Sequence, residues 1–247
     1  MAVTGERDAG GPSLAPFGAG GARPPATGLA LIEAWLAPLD GRAVLDVGCG
    51  GGALAQALTA RGARVIGIDP SSEAVAAARR AAPGAVFEVA VAQALPFAAE
   101  SVDAAVFVNS LHHVPVAAMG VALAEALRVS RGPVVVIEPL AEGPFFEALR
   151  PVEDETAVRQ AAQAAIAALL ASGGAVLAGG GDYDEVRRFA GVDAFLDKVV
   201  SVDPARADAA RRLRPQVEAL MRRWGRPEAA GLRLDQPHRV HLLRRIS

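Results

Sequence analysis

Residues 44–52 read VLDVGCGGG, a segment that few architectures accommodate. Val44, Leu45 and Val47 surround Asp46 in a short apolar run, and four glycines then fill five positions. A buried strand therefore gives way to a tight turn with exposed backbone. Ala53, Leu54, Ala57 and Leu58 follow at helical spacing. Strand, glycine turn and helix together lay N–H groups and a helix N-terminus against a ligand. Glycine suits the turn because a side chain would hold the ligand away from the main chain.

Two ligand classes compete for this turn. Gly48, Gly50 and Ala53 satisfy the dinucleotide spacing G-x-G-x-x-G/A, with Asp69 placed for a ribose. Asp46 opposes that reading, since a carboxylate beside the glycines repels a pyrophosphate and suits a cationic ligand. Downstream, residues 64–69, 86–91, 103–108 and 134–137 form short apolar runs, with helical segments between them. Such strands predict a parallel sheet covered on both faces, with ligands bound beyond the strands' carboxyl ends. Asp69, Asn109, Ser110, His112, His113 and Glu138 all fall at or just after strand ends. Ser71 or Ser72 is better placed than Asp69 to cap the following helix.

The pattern Asp46-x-Gly48-x-Gly50-x-Gly52 resembles the first motif of class I S-adenosylmethionine-dependent methyltransferases, and Gly67-Ile68-Asp69-Pro70-Ser71 resembles their second. Leu95-Pro96-Phe97, Asp103 and Leu111-His112-His113 are similar to the branch that holds quinone-biosynthesis C-methyltransferases and many small-molecule O- and N-methyltransferases. The resemblance covers roughly residues 43–140. It implies an α/β fold: a Rossmann-like, seven-stranded, mostly parallel sheet with helices on both faces and an antiparallel last strand. It also implies S-adenosyl-L-methionine as cofactor, S-adenosyl-L-homocysteine as product and direct in-line transfer to a small-molecule acceptor. The implied cofactor set is Asp46, Gly48, Cys49, Gly50, Gly52, Asp69, Pro70, Ala92, Gln93 and Asn109. Ser110 and Glu138 fall on the substrate side.

His113, and after it His112, are candidate general bases, because histidine is matched to proton transfer near neutral pH. In relatives the paired histidines also serve as positioning residues. Aligned on Leu95-Pro96-Phe97, the family's adenine-reading acid falls at Val91 and its glycine at Ala90. Loss of that carboxylate supports an alternative, a non-catalytic binding or regulatory subunit of the same fold.

The rest of the chain is less distinctive. Residues 1–23, rich in Gly, Pro and Ala, are expected to form a flexible tail before a single domain over 24–247, with a cofactor core at 43–140 and substrate-side and C-terminal elements at 141–247. A helix is expected over 29–36, as a lid or a sheet cover. Residues 153–156 read as the solvated acidic start of a helix, and the triple glycine at 179–181 as a turn before a helix over 186–189. Residues 195–202 and 239–243 are expected as the sixth and seventh strands, joined by an arginine-rich helix whose charges read as a solvated face.

A net charge of −2 gives no pull toward nucleic acid. Cys49 is the sole cysteine, which excludes a disulfide framework and a multi-cysteine zinc site. The histidine pair lacks further ligand spacing, so no metal is expected. Without a membrane-length apolar run or a secretion signal, a soluble cytoplasmic protein is expected, and a homodimer stays open.

Overall fold

The computed structural model describes residues 14–18 and 21–246. The first half alternates as expected: helix α1 (Gly28–Leu36), strand β1 (Ala43–Val47), α2 (Ala53–Thr59), β2 (Arg64–Asp69), α3 (Ser72–Ala81), β3 (Val86–Val89), β4 (Ala104–Val108), α4 (Met119–Val129) and β5 (Val134–Pro139). Then come α5 (Pro144–Leu149), α6 (Thr156–Ala171), β6 (Val176–Phe189), α7 (Val192–Val202), α8 (Ala207–Trp224), β7 (Arg226–Glu228) and β8 (Gly231–Arg244). The sheet runs β3-β2-β1-β4-β5-β8-β6, with short β7 added on β8. Strands β1 to β5 pair in parallel, and β8 enters antiparallel between β5 and β6. Seven strands make up the main order, the sixth of them from an unexpected segment, and β7 adds an eighth.

Apolar strands bury both faces. One cluster joins Leu31, Ile32 and Leu36 of α1 and Leu58 and Val75 of α2 and α3 to Val44, Val106 and Val135. The opposite cluster packs Leu123, Ala126 and Ile166 of α4 and α6 on Leu45, Ala105 and Val136. Alternating strand residues thus serve opposite faces, the period-2 geometry of a sheet covered on two sides. A smaller third cluster, with Phe145, Phe195, Val217, Met221 and Leu234, ties α5, α7 and α8 to β8. Ser71 caps α3, its Oγ accepting the Ala74 N–H at 3.2 Å.

Three expectations fail. Residues 195–202 belong to helix α7, not to a strand: Val192, Phe195, Leu196 and Val199 are buried at spacings of three and four, the helical period that the Val199-Val200 pair obscured. The proposed helix over 186–189 is the end of strand β6, and the triple glycine lies inside that strand. Those glycines admit another chain. A Cβ on Gly180 would lie 2.5 Å from the Phe17 ring, and one on Gly181 2.5 Å from the Ala15 carbonyl oxygen.

That chain is the supposed tail. Ala15 exchanges backbone hydrogen bonds with Asp182, and Gly18 N–H donates to the Asp182 carboxylate at 3.0 Å. Phe17 stacks on His241 with centroids 5.0 Å apart, and Pro24 and Ala26 bond the Asp184 backbone. Residues 14–18 and 21–23 are therefore a strap across β6, while the tail expectation for 1–13 and 19–20 lies outside the described residues.

Three arginines of α8 pair with carboxylates: Arg211 with Asp208, Arg214 with Asp193 and Glu218, Arg222 with Glu218. No helix among the described residues is long and apolar enough to cross a membrane.

Candidate functional site

Two cavities adjoin at the carboxyl ends of the parallel strands. The larger, about 570 Å³, is walled by Val47, Gly48 and Gly50 of the glycine turn, by Ile68, Asp69 and Pro70 after β2, by residues 90–93 after β3 and by the segment after β4. The turn is pinned from below, Gly48 and Cys49 donating their N–H groups to the Ile68 carbonyl at 2.8 and 2.9 Å. Gly48 sits at φ +77°, and a Cβ there would meet the Ser110 Cβ at 2.6 Å. Conformation and contact both demand glycine.

Asp69 accepts the Gly50 N–H at 3.0 Å on one oxygen and the Ser71 N–H at 2.9 Å on the other. Each oxygen keeps a lone pair for the cavity that Asp69 lines. Pro70, Ala92, Gln93 and Asn109 line the same cavity, and so does Val91.

Other expected residues fall elsewhere. Asp46 is 2 % exposed beneath the turn, and its Oδ2 has no hydrogen-bond partner. Burial first, and the Asp69 charge second, push its carboxyl up to about 7. Cys49 does not line the cavity. Its thiol is buried and pushed up to about 12, burial being the main cause. Gly52 serves helix packing: it stands at φ +82°, where a Cβ would lie 2.9 Å from the Ala78 Cα. Ser110, expected on the substrate side, instead lines the glycine-turn cavity and donates its hydroxyl to the Val47 carbonyl at 2.6 Å.

The second cavity, about 260 Å³, collects residues from distant parts of the chain: Asn109, His112 and His113 after β4, Pro139 of β5, Phe145 and Leu149 of α5, Glu155 and Arg159 at the start of α6, Arg187 of β6, Lys198 and Val199 of α7, Arg206, and Gln236 of β8. Asn109 and His113 line both cavities. Asn109 holds φ +54°, a strained conformation for a residue with a side chain, and its amide lies 3.0 Å from His238 Nε2. Burial pushes His238 down to about 4, so this ring is neutral, with Nδ1 3.0 Å from the Gln236 carbonyl.

Glu138, expected to face the acceptor, is fully buried and lines neither cavity. One of its oxygens accepts N–H groups from Ser110 at 3.0 Å and Leu111 at 2.8 Å, and the other binds His112 Nδ1. That contact leaves Nε2 as the free nitrogen of a buried, cavity-lining ring. The more exposed His113 ring lies tilted at 44° to it with centroids 4.0 Å apart, and partial desolvation, then His112, lower its pKa.

The charged wall was not anticipated. Glu155 is 8 % exposed rather than solvated, because Arg159 grips it through Nε at 2.9 Å and Nη2 at 2.6 Å. The spacing of four between Glu155 and Arg159 was a visible signal for the pair, though not for its burial. Arg187, Lys198, Arg206 and Gln236 carry no local motif. Ligand atoms of His112, His113 and Glu155 lie within 4.8 Å of one another, but the Arg159 grip and the three further cations oppose a divalent ion there.

This strand order, with the last long strand antiparallel, is that of a Rossmann-like α/β fold, and residues 44–132 match the methyltransferase domain family. The YcgJ protein of Bacillus subtilis superposes with a TM-score of 0.63 over 89% of this chain and 98% of its own, at 18% identity. The magnesium protoporphyrin IX methyltransferase of Synechocystis, solved with bound S-adenosylhomocysteine, gives 0.52 over 88% of this chain and 81% of its own, at 16% identity. In sequence, a ubiquinone biosynthesis O-methyltransferase of Alkalilimnicola ehrlichii is 45% identical over 85 residues, 32% of this chain and 34% of that protein. The chain thus spans about a third of the length of the curated relatives it matches.

Proposed function

We propose that this chain transfers the methyl group of S-adenosylmethionine to a hydroxyl of a small molecule, with residues 43–140 holding the cofactor and residues 141–247 shaping the acceptor space. The observation that carries this reading is the junction: Asn109 and His113 belong to both cavities, so a ligand in each meets the other there. The printed names of the matched relatives support an oxygen acceptor.

The residues fit the cofactor. Asp46 Oδ2 is a buried, partnerless carboxylate oxygen, which a cation nearby stabilises and a pyrophosphate does not. When bound, S-adenosylmethionine supplies an electrophilic methyl on a sulfonium. Gly48 and Gly50 present main chain to the methionine portion, Asp69 offers lone pairs to the ribose hydroxyls, and the loop from Ala90 to Gln93 borders the adenine. Asn109 and Ser110 fix the floor between the cavities.

Alignment supplies much of the rate enhancement of a displacement reaction, and the acceptor proton needs a destination. His113 receives it: the ring stands at the junction, and its lowered pKa keeps it neutral and ready to accept at physiological pH. His112, anchored by Glu138, packs at a tilt against that ring and orients it.

The experiment pairs calorimetric titration with S-adenosylhomocysteine, NAD as control, with single-turnover transfer from labelled S-adenosylmethionine to a panel of phenols and catechols. S-adenosylhomocysteine is expected to bind and NAD to fail. His113→Gln is expected to slow transfer about 100-fold while leaving S-adenosylhomocysteine affinity within a factor of about two. Loss of affinity without loss of rate would overturn the assignment of the base, and NAD binding alone would overturn the cofactor.

A further inference from the structure

The charged cavity carries more cations than its carboxylates answer. Arg159 is held by Glu155, Arg206 pairs with Glu153, and Arg187 reaches Glu185 at 3.2 Å. Lys198 lines the same space and makes no ion pair among the described residues. Arg206 also has Glu155 at 3.7 Å and the half-exposed Asp203 at 3.8 Å, so Lys198 is the cation of this wall with no carboxylate of its own among the described residues. Glu138 is turned away, toward Ser110, Leu111 and His112.

Two donors are also stranded. The Nε groups of Arg187 and Arg206 are buried without a hydrogen-bond partner. A buried N–H left unmade is costly, and on a guanidinium it is best answered by an anionic oxygen. Phe145 stacks 4.3 Å under the Arg187 guanidinium, holding its plane while apolar side chains of Leu149 and Val199 complete the wall.

Resting on the methyl-transfer reading above, we propose that the acceptor is a small amphiphilic anion. Its carboxylate or phosphate is bound by Arg187, Lys198 and Arg206, its apolar body lies on Phe145 and Leu149, and its hydroxyl is directed to His113. A cavity of about 260 Å³ accommodates one ring or a short chain with such a head group. The anion answers the excess of cations on the wall, Arg187, Lys198 and Arg206 beside the Glu155-held Arg159. A neutral acceptor of the same shape leaves that charge unanswered, so the wall selects by charge.

The test titrates the intact chain with benzoate, phenyl phosphate and neutral benzamide at constant ionic strength, with and without S-adenosylhomocysteine, and with Lys198→Gln and Arg187→Gln beside the unaltered protein. At least one anion is expected to saturate one site per chain, at least tenfold more tightly than benzamide, and each substitution to weaken it at least tenfold. The tighter of the two anions identifies the head group. Lys198 is exposed, so Lys198→Gln keeps the test valid should Arg187→Gln fold poorly. Equal binding of benzoate, phenyl phosphate and benzamide, no saturable anion binding, or variants that bind as the parent does overturns the inference. S-adenosylhomocysteine titrated in the same samples reads the cofactor separately: affinity retained while anion selectivity is absent rejects only the anionic acceptor, and the reverse rejects only the cofactor.

Discussion

The two cavities that share Asn109 and His113 are built by opposite means. The glycine-turn cavity is shaped by main chain: Gly48, Gly50, Asp69 and the loop after β3 come from three neighbouring strand ends, and its contacts are short backbone hydrogen bonds. The charged cavity is shaped by long side chains, and Arg159 of α6, Arg187 of β6 and Arg206 after α7 are held in place by ion pairs. A site of main chain is as rigid as the sheet that carries it. One of long side chains is rigid only while every charge has its partner.

That difference predicts where damage stays local. Arg159 and Glu155 are a buried pair with side chains 5% and 9% exposed, and Arg159 also donates to the Leu140 carbonyl at 3.0 Å. Arg159→Met leaves the buried Glu155 charge with only Arg206, at 3.7 Å, to answer it and should destabilise the protein by up to about 3–5 kcal/mol, a fall in melting temperature on the order of 10 °C. Anion binding should go with it, while S-adenosylhomocysteine affinity below the melting range should hold within about threefold. If both affinities collapse together, the two cavities are one mechanical unit and the contrast fails.

The contrast sharpens with pH, because the buried titrating groups on the two sides shift in opposite directions. Asp46, under the glycine turn, has a native value raised from 3.8 to about 7. The native chain therefore keeps a proton that the unfolded chain has lost, and this stabilising contribution, full below pH 3.8, disappears as pH rises to about 7. His238, beside Asn109, has a native value lowered from 6.5 to about 4, so the unfolded chain takes up a proton that the native one refuses, and stability is lost as pH falls through that window. In denaturant titrations Asp46→Asn should gain as much as about 4 kcal/mol over the parent at pH 8, at the expense of cofactor affinity. His238→Gln should remove roughly 3 kcal/mol of the acid loss near pH 4. Parallel pH profiles for parent and both variants would show that neither group titrates as its burial requires.

The same division explains what could be read before the fold was known. Strand, turn and helix around Asp46 and Asp69 are encoded within a few residues of each other, so spacing alone located one cavity. The second depends on contacts between residues far apart in the chain, such as Arg159 with Gln236 and Arg206 with Glu153, and no local pattern reports those. Glu155 looked solvated because an acid at a helix start usually is. Arg159, one turn along, buries it. The triple glycine was legible as glycine but not in purpose, since only the docked strap at Ala15 and Phe17 shows why side chains are excluded there. Residues 195–202 misled because β-branched valines favour a strand locally, whereas burial by the α5 and α8 side chains rewards the helical face.

Val91 offers the finest test of the main-chain side. It lines the glycine-turn cavity at 39% exposure, at the position where the resemblance places an adenine-reading acid. Partial exposure keeps the desolvation cost of a carboxylate there small, and Asp69, the acid that lines the same cavity, is already bonded to two N–H groups. One charged hydrogen bond to the adenine amino group contributes about 1.5–3 kcal/mol, and solvent contact favours the low end. Val91→Asp should thus tighten S-adenosylhomocysteine about tenfold, Val91→Asn less, and neither should alter anion binding. S-inosylhomocysteine, which lacks the amino group, should gain nothing from the aspartate. An equal gain for both nucleosides would mean that the new charge acts on the cationic end of the ligand, and a loss for both would mean that the adenine does not lie along residues 90–93.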